Sequence, residues 1–230
     1  MLYLQWSFWI VGLALHYLLL TSLLTEGRYK SYLAIFIYSI CLVVTTFTDI
    51  FFVLDIGQVN QAYRWYYFIA DLLRQSALYC VVISLVMHAM PQDRRRAALV
   101  RLLILLAFLF WSGTLFAFQD ARISSWMTKV VRNLSFCTAI VNLALWFILI
   151  ASEKKDALLL TITGGLGLQI TGEAIGQSLR QISKSTELAG NILLVLAHFL
   201  CLYIWWHAFD RSAVTASRPL TRSASGEYTD

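Results

Sequence analysis

Long apolar segments follow one another along almost the whole chain, and this feature narrows the available folds more than any other. A helix needs about 20 mostly apolar residues to cross the hydrocarbon core of a bilayer. Seven segments meet that length, at residues 2–24, 31–54, 63–90, 99–118, 125–151, 157–182 and 187–209. They lack the segments of about ten alternating residues that are typical of barrel strands. Because lipid cannot satisfy backbone hydrogen bonds, the sequence predicts an all-α, seven-transmembrane-helix bundle.

The charged residues support this interpretation and orient the bundle. They make up 13% of the chain, against about 25% in soluble domains. Lys and Arg are concentrated in one alternating set of connections, near residues 28–30, 94–101, 154–155 and 211–222. By the positive-inside tendency these connections lie in the cytoplasm, which places the N-terminus outside and the C-terminus in the cytoplasm. We therefore predict one transmembrane domain at 1–209 and a disordered cytoplasmic tail at 210–230.

The net charge of +5 follows from the same topological bias. It adds an attraction to the anionic headgroups of the lipid bilayer, and it does not indicate a nucleic-acid partner. The cysteines Cys41, Cys80, Cys137 and Cys201 fall in four different spans without zinc-site spacing. We expect them to be buried packing residues rather than disulfide partners or metal ligands.

The third span contains polar residues within an otherwise apolar stretch, YYFIADLLRQSALYCVV at 66–82. Tyr67, Asp71, Arg74 and Gln75 are spaced i, i+4, i+7 and i+8, so they share one helix face. The helical rise puts Asp71 roughly 8 Å and Arg74 roughly 13 Å below the outer interface. A charged side chain facing lipid near the bilayer centre costs about 2.5 to 3.5 kcal/mol on insertion scales. This face is therefore predicted to point into the bundle.

The sixth span repeats this spacing with Gln169, Glu173, Gln177 and Arg180. Glu173 lies at about the same predicted depth as Arg74, which predicts an ion pair between the third and sixth helices. The span is also rich in glycine and contains the GxxxG sequence GEAIG at 172–176. Close helix packing is one use for these glycines, and an unwound segment facing a ligand is the alternative.

Other polar residues occur at similar predicted depth in the outer halves of neighbouring spans. The candidate ligand-binding residues are Asp49, Tyr67, Asp71, Arg74, Gln75, Lys129, Arg132, Asn133, Gln169, Glu173, Gln177 and Asn191. Three acids and three bases among them would neutralise one another, as burial at low dielectric requires. Two interpretations stay open: a polar pocket toward the outside, or a network that only fixes helix register.

The histidines suggest a haem alternative. His16 and His198 are predicted near mid-membrane, and His88 and His207 near the cytoplasmic side. Two such pairs would supply the axial ligands of a membrane cytochrome with two haems, with His16 and His198 as the better-placed pair. Ordinary polar packing explains the same residues. No zinc-binding HExxH pattern occurs, and no metal site other than the haem alternative is predicted.

Two resemblances bear on identity. Microbial rhodopsins share the topology, but the last span has no lysine between 187 and 209 to hold retinal. The runs RNLSFCTAIVNLALWFILI at 132–150 and GGLGLQITGEAIGQSLR at 164–180 resemble a family of uncharacterised bacterial seven-span inner-membrane proteins. That resemblance implies a bacterial inner-membrane location and no particular activity. The topology is also similar to that of seven-helix sensor modules, whose output domains this chain lacks.

The sequence thus favours a non-enzymatic membrane protein of receptor-like or accessory type. It would bind a small ligand or a partner in the outer half and pass its state to a membrane or cytoplasmic protein. A small-molecule or ion transporter is the first alternative, disfavoured because the inner halves of the spans are nearly apolar. A haem-binding cytochrome is the second. No nucleophile and base occur at a recognisable spacing, so no catalytic residue is predicted.

Overall fold

Six long helices make up most of the part of the chain that the computed structural model describes, which is residues 2–25, 27–55, 61–90, 97–98, 101–106, 108–109, 112, 123–151 and 156–216. The helices are α1 (Leu2–Thr25), α2 (Leu33–Asp55), α3 (Gln61–Ala89), α4 (Ile123–Ala151), α5 (Ala157–Ile182) and α6 (Lys184–Ala216). A 3₁₀ turn at Arg28–Lys30 joins α1 to α2. No strand occurs among these residues.

Each of the six helices contains a segment that is long and apolar enough to cross a membrane. The all-α prediction is confirmed, and the helix content is that of a multi-pass membrane protein. Helices α1 to α3 correspond to the first three predicted spans, and α4 to α6 to the fifth, sixth and seventh. The fourth predicted span, 99–118, lies mostly outside the described residues, although 101–106, 108–109 and 112 are helical. The count of seven therefore stays a prediction.

The last helix extends farther than the sequence analysis expected. The disordered tail was predicted to begin at 210, but α6 continues to Ala216, whereas its membrane-length segment ends at Asp210. Residues 210–216 contain neither glycine nor proline, so nothing in that segment stops a helix. The rest of the predicted tail, 217–230, lies outside the described residues.

The outer surface of the bundle carries large apolar side chains. On α2, Ile35, Tyr38 and Leu42 are buried at helical spacing, whereas Val44 and Phe51 are 56% and 59% exposed. An apolar face along a whole helix is costly in water and suits a lipid environment.

The cysteines differ in their exposure. Cys137 and Cys201 are buried, but Cys80 is exposed on α3, so the prediction of buried cysteines is wrong for Cys80.

The described helices form a closed ring. Each packs against the next helix in this order, and α6 packs against α1. The described part of the fourth predicted span contacts α3, where the Tyr79 hydroxyl donates to the Leu103 carbonyl at 2.8 Å. The ring has an Arg28 end, where α1 turns into α2, and a Ser183 end, where α5 turns into α6.

Helices α5 and α6 form the closest pair in the ring. Ser183 is the single residue between them, and its hydroxyl caps α6 by accepting from the Thr186 amide at 3.3 Å. A Cβ added at Gly172 would lie 2.2 Å from the Ala197 Cβ, and one added at Gly176 would lie 2.9 Å from the Gly190 carbonyl oxygen of α6. The α5 glycines therefore serve close packing, as predicted. Because α5 is continuous through them, the unwound alternative is wrong.

Toward the Arg28 end the interior is filled mostly by apolar side chains. Leu19, Leu23, Leu85, Trp205 and Phe209 are all at most 1% exposed. The indole nitrogen of Trp205 donates to the Ile162 carbonyl at 2.9 Å, which satisfies its only polar atom. The interior toward the Ser183 end is different, because polar side chains line it.

Candidate ligand-binding cavity

A cavity of about 550 Å³ lies inside the ring, in the half of the bundle toward the Ser183 end. Side chains from α1, α2, α3, α5 and α6 line it. It brings together most of the candidate ligand-binding residues predicted from the sequence: Asp49, Tyr67, Asp71, Arg74, Gln75, Gln169, Glu173, Gln177 and Asn191. Helical periodicity placed these residues on inward faces, and the ring arrangement points those faces at one space.

The remaining three candidates are all on α4. Lys129 and Arg132 belong to this helix, but their side chains lie outside the described part of the structure. Asn133 is partly buried and is not among the residues that line the cavity. The described part of α4 thus contributes no side chain to the cavity.

Arg74 forms an ion pair with Asp49 rather than with Glu173. Its Nη2 lies 2.6 Å from Asp49 Oδ2, and its Nε donates to the Thr45 hydroxyl at 3.0 Å. The predicted Arg74–Glu173 pair is therefore wrong. Thr45 and Asp49 are one turn apart on α2, the direct neighbour of α3, so they receive both ends of the guanidinium. The sequence placed Arg74 among polar residues of similar depth, but it did not identify α2 as the helix that carries its partner.

The interface of α2 and α3 holds the Arg74 partners in place. The Thr45 hydroxyl donates to the Leu42 carbonyl at 3.1 Å, and the Tyr66 hydroxyl donates to the Thr45 carbonyl at 2.8 Å. The Tyr66 ring stacks on Phe52, with centroids 4.6 Å apart and planes inclined by 18°. These contacts orient the two acceptors of Arg74, the Thr45 hydroxyl and the Asp49 carboxylate, at the cavity wall.

Glu173 is held by amides. Gln75 Nε2 donates to one carboxylate oxygen at 2.8 Å, and Gln169 Nε2 donates to the other at 3.0 Å. Gln169 Nε2 also lies 2.9 Å from the Tyr38 hydroxyl. Within the described residues, Asp49 and Arg74 form the one ion pair at the cavity, so Glu173 has no cation in contact. Hydrogen bonds to an ionised carboxylate are stronger than neutral ones.

Tyr38 and Arg180 line the cavity but were not among the predicted site residues. Tyr38 is 2% exposed, whereas Arg180 is exposed. Spacing offered a signal for both. Tyr38 precedes Asp49 by eleven residues on one α2 face, and Arg180 follows Glu173 by seven on α5.

Four buried polar atoms of the lining side chains have no hydrogen-bond partner in the described part of the chain. They are His16 Nδ1, Asp49 Oδ1, Gln75 Oε1 and Gln169 Oε1. Gln75 and Gln169 are only 5% and 1% exposed. Unpartnered buried polar atoms are rare in folded proteins, and each needs an explanation. Four of the six such atoms among the described residues belong to the cavity lining; the other two are Ser39 Oγ and Asn142 Oδ1.

The predicted histidine pairs have different outcomes. His16 and His198 line the cavity with ring centroids 5.5 Å apart and planes inclined by 45°. His88 instead stacks on Tyr32 at 5.2 Å, and His207 stacks on Tyr203 at 5.9 Å. Each of these two rings therefore stacks on a tyrosine, and the two-haem arrangement stays a prediction. Among the described residues there is no group of three His, Cys, Asp or Glu side chains placed to hold a metal ion.

One side of the cavity is apolar and aromatic. Phe8 and Trp9 of α1 and Phe199 of α6 line it, and the Phe8 and Phe199 rings meet edge to face at 6.1 Å. A Cβ added at Gly12 would lie 3.3 Å from the Phe199 ring, so glycine there lets α1 approach α6. The cavity is thus amphipathic, with charges on α2, α3 and α5 and rings on α1 and α6.

Compared with protein-family models, with curated proteins and with solved structures, the chain matches none. The resemblance to a bacterial seven-span family stays a prediction.

Proposed function

We propose that this chain is a receptor-like or accessory membrane protein that binds a small molecule in the cavity. The observation that carries the proposal is the set of unpartnered buried polar atoms on side chains that line a space of about 550 Å³. Cavities of roughly 300 to 1,000 Å³ with a few convergent polar groups are typical of small-molecule sites. A network that served only helix register would be expected to satisfy its own polar atoms.

The apolar interior at the Arg28 end favours binding over transport. Leu19, Leu23 and Trp205 fill the space between the cavity and that end, and all are fully buried. A polar substrate would have to cross this layer, where no charged side chain accompanies it among the buried residues described. Substrate flux in proteoliposomes, reduced by substitutions in the cavity, would instead favour the transporter alternative.

We infer that the cavity opens toward the outside of the cell. Arg28 and Lys30 lie at the opposite end of the bundle, and cations favour the cytoplasmic side. Binding would then bias the packing of α5 and α6, and the cytoplasmic connections would pass this state to a membrane or cytoplasmic protein. A bacterial inner membrane is the location that the sequence resemblance implies.

The proposal is tested by filling the cavity from α6. Val195 lines the cavity, whereas the next residue, Leu196, is exposed on the outer face of the same helix. Val195→Phe and Leu196→Phe thus form a pair that places the same aromatic ring inside and outside the cavity. The protein is purified in lipid nanodiscs and screened for small molecules that raise its thermal unfolding midpoint.

We expect hits with the wild type and with Leu196→Phe, and loss of those hits with Val195→Phe. A copurifying small molecule lost only from Val195→Phe would carry the same meaning. If both variants retained every hit, the bound molecules would lie elsewhere and the cavity proposal would be wrong.

The haem alternative is best supported by His16 and His198. Both rings line the cavity, so a single iron with these two axial ligands is the form to test first. Haem added to the purified protein should give a Soret band that is lost in His16→Ala and His198→Ala. The absence of such a band would eliminate this alternative.

A further inference from the structure

The unpartnered oxygens of the cavity share one chemical property, since each can only accept a hydrogen bond. Asp49 Oδ1, Gln75 Oε1 and Gln169 Oε1 are a carboxylate oxygen and two amide oxygens. The amide nitrogens of Gln75 and Gln169 already donate to Glu173, so the two amides cannot be flipped without losing those bonds. A ligand that contacts these three oxygens must therefore donate hydrogen bonds to them.

The charge of the lining points the same way. Among the described residues it contains three carboxylates, Asp49, Asp71 and Glu173, and two guanidinium groups, Arg74 and Arg180. Arg74 is engaged by Asp49 and lies one helical turn from Asp71 on α3, whereas Arg180 is exposed. Among the side chains that the structure describes, Glu173 contacts only neutral amide donors. An uncompensated carboxylate in a partly desolvated cavity attracts a cation.

The cation that suits this space is organic. The described residues offer no cluster of ligands for a metal ion. The cavity is also much larger than an ion needs, and Phe8, Trp9 and Phe199 line its other side. Aromatic faces attract ammonium groups and also accommodate an apolar body. The carboxylate and the rings therefore match the two ends of an amphipathic amine.

We propose that the cavity binds an organic ammonium ion, with its N–H groups directed to Glu173 and the oxygens of Gln75 and Gln169. Its apolar or aromatic body lies against the α1 and α6 rings. This inference rests on the proposed function, because it names the ligand class of the same cavity. It excludes carboxylates and phosphates as the preferred ligands of the site.

The test uses three probes that differ only in the polar group: 2-phenylethylamine, 2-phenylethanol and phenylacetate. Binding to the wild-type protein in nanodiscs is measured by calorimetry at neutral pH. We expect the amine to bind at least tenfold more tightly than the alcohol, and phenylacetate to bind more weakly than both. Val195→Phe should abolish binding of all three, whereas Leu196→Phe should not.

Two carboxylate variants locate the charge. Glu173→Gln should lower amine affinity at least tenfold and leave affinity for the alcohol within about twofold. Glu187→Gln is the matched control, because Glu187 is exposed at the start of α6 and should leave both affinities unchanged. The comparison of probes on the wild type stands even if Glu173→Gln does not fold.

The outcomes separate the two proposals. Equal or tighter binding of the alcohol or of phenylacetate, lost in Val195→Phe, would overturn the ammonium inference and leave the cavity as a binding site. Amine binding that Glu173→Gln leaves unchanged would also overturn it. Failure of all three probes to bind in a manner that depends on Val195 would count against both the ligand class and the proposed function.

Discussion

Arg74 Nη2 on α3 lies 2.6 Å from Asp49 Oδ2 on α2, and both side chains line the cavity. The side chains are 23% and 15% exposed, so the pair is only partly desolvated. Asp49 Oδ1 has no partner among the described residues, which leaves one oxygen of the pair for another donor. The ion pair thus joins two neighbouring helices and also forms part of the cavity wall.

Removing both partners should destabilise the bundle by less than the sum of the two single losses. Arg74→Gln and Asp49→Asn each leave one charge without its partner, which costs about 3 kcal/mol for a largely buried pair. The double variant should recover about 1 to 2 kcal/mol of the summed loss, as expected for residues in contact. Chemical unfolding in detergent micelles measures the three free energies of unfolding. Additive effects would show that the contact contributes nothing to stability.

Gly172 should tolerate no side chain, in contrast to another glycine of α5. In Gly172→Ala the new methyl group meets Ala197, and overpacking of this kind costs about 1 to 3 kcal/mol. Gly164→Ala is the matched control, because the nearest atom to its new Cβ is Trp146 Nε1 at 3.9 Å. That control should be neutral or more stable by about 0.5 to 1 kcal/mol, as alanine favours a helix.

Adding Ala197→Gly should restore the stability of Gly172→Ala, since it removes the opposing methyl group. The test compares the thermal unfolding midpoints of the wild type, Gly172→Ala, Gly164→Ala and the double variant Gly172→Ala/Ala197→Gly. If Gly172→Ala behaved like Gly164→Ala, close packing of α5 on α6 at this position would be contradicted.

The hydrogen bonds that glutamine side chains donate to Glu173 should contribute more to stability than other polar side chains of the cavity wall. Gln169→Leu removes the donor to Glu173 Oε1, and an unpaired buried acceptor costs about 1 to 3 kcal/mol. Gln177→Leu is the control, because Gln177 lines the cavity two turns away without a hydrogen-bond partner among the described residues. Its free energy of unfolding should change by less than about 0.5 kcal/mol. Equal losses in the free energy of unfolding from both substitutions would contradict a specific contribution of the Gln169–Glu173 hydrogen bond.

The sequence predicted helix positions and inward faces well, because length and periodicity are local properties. The third span was expected at 63–90 and is Gln61–Ala89, and Asp71, Gln75 and Glu173 lie on the inward faces as expected. The partner of Arg74 could not be predicted in the same way. That partner depends on which helices are neighbours in the ring, because a residue at a given depth can meet residues of equal depth on more than one neighbouring helix. Cys80 shows the same limit, since burial depends on helix rotation.

The orientation of the bundle should follow the cations at the Arg28 end. Lys30 is exposed at that end, and Glu187 is exposed near the Ser183 end. In intact cells, a membrane-impermeant maleimide should label Glu187→Cys and should label Lys30→Cys only after lysis. Wild-type protein gives the background, because its four cysteines all lie within helices that are predicted to span the membrane. Labelling of Lys30→Cys in intact cells, with protection of Glu187→Cys, would place the cavity on the cytoplasmic side. The ligand would then have to be an intracellular amine.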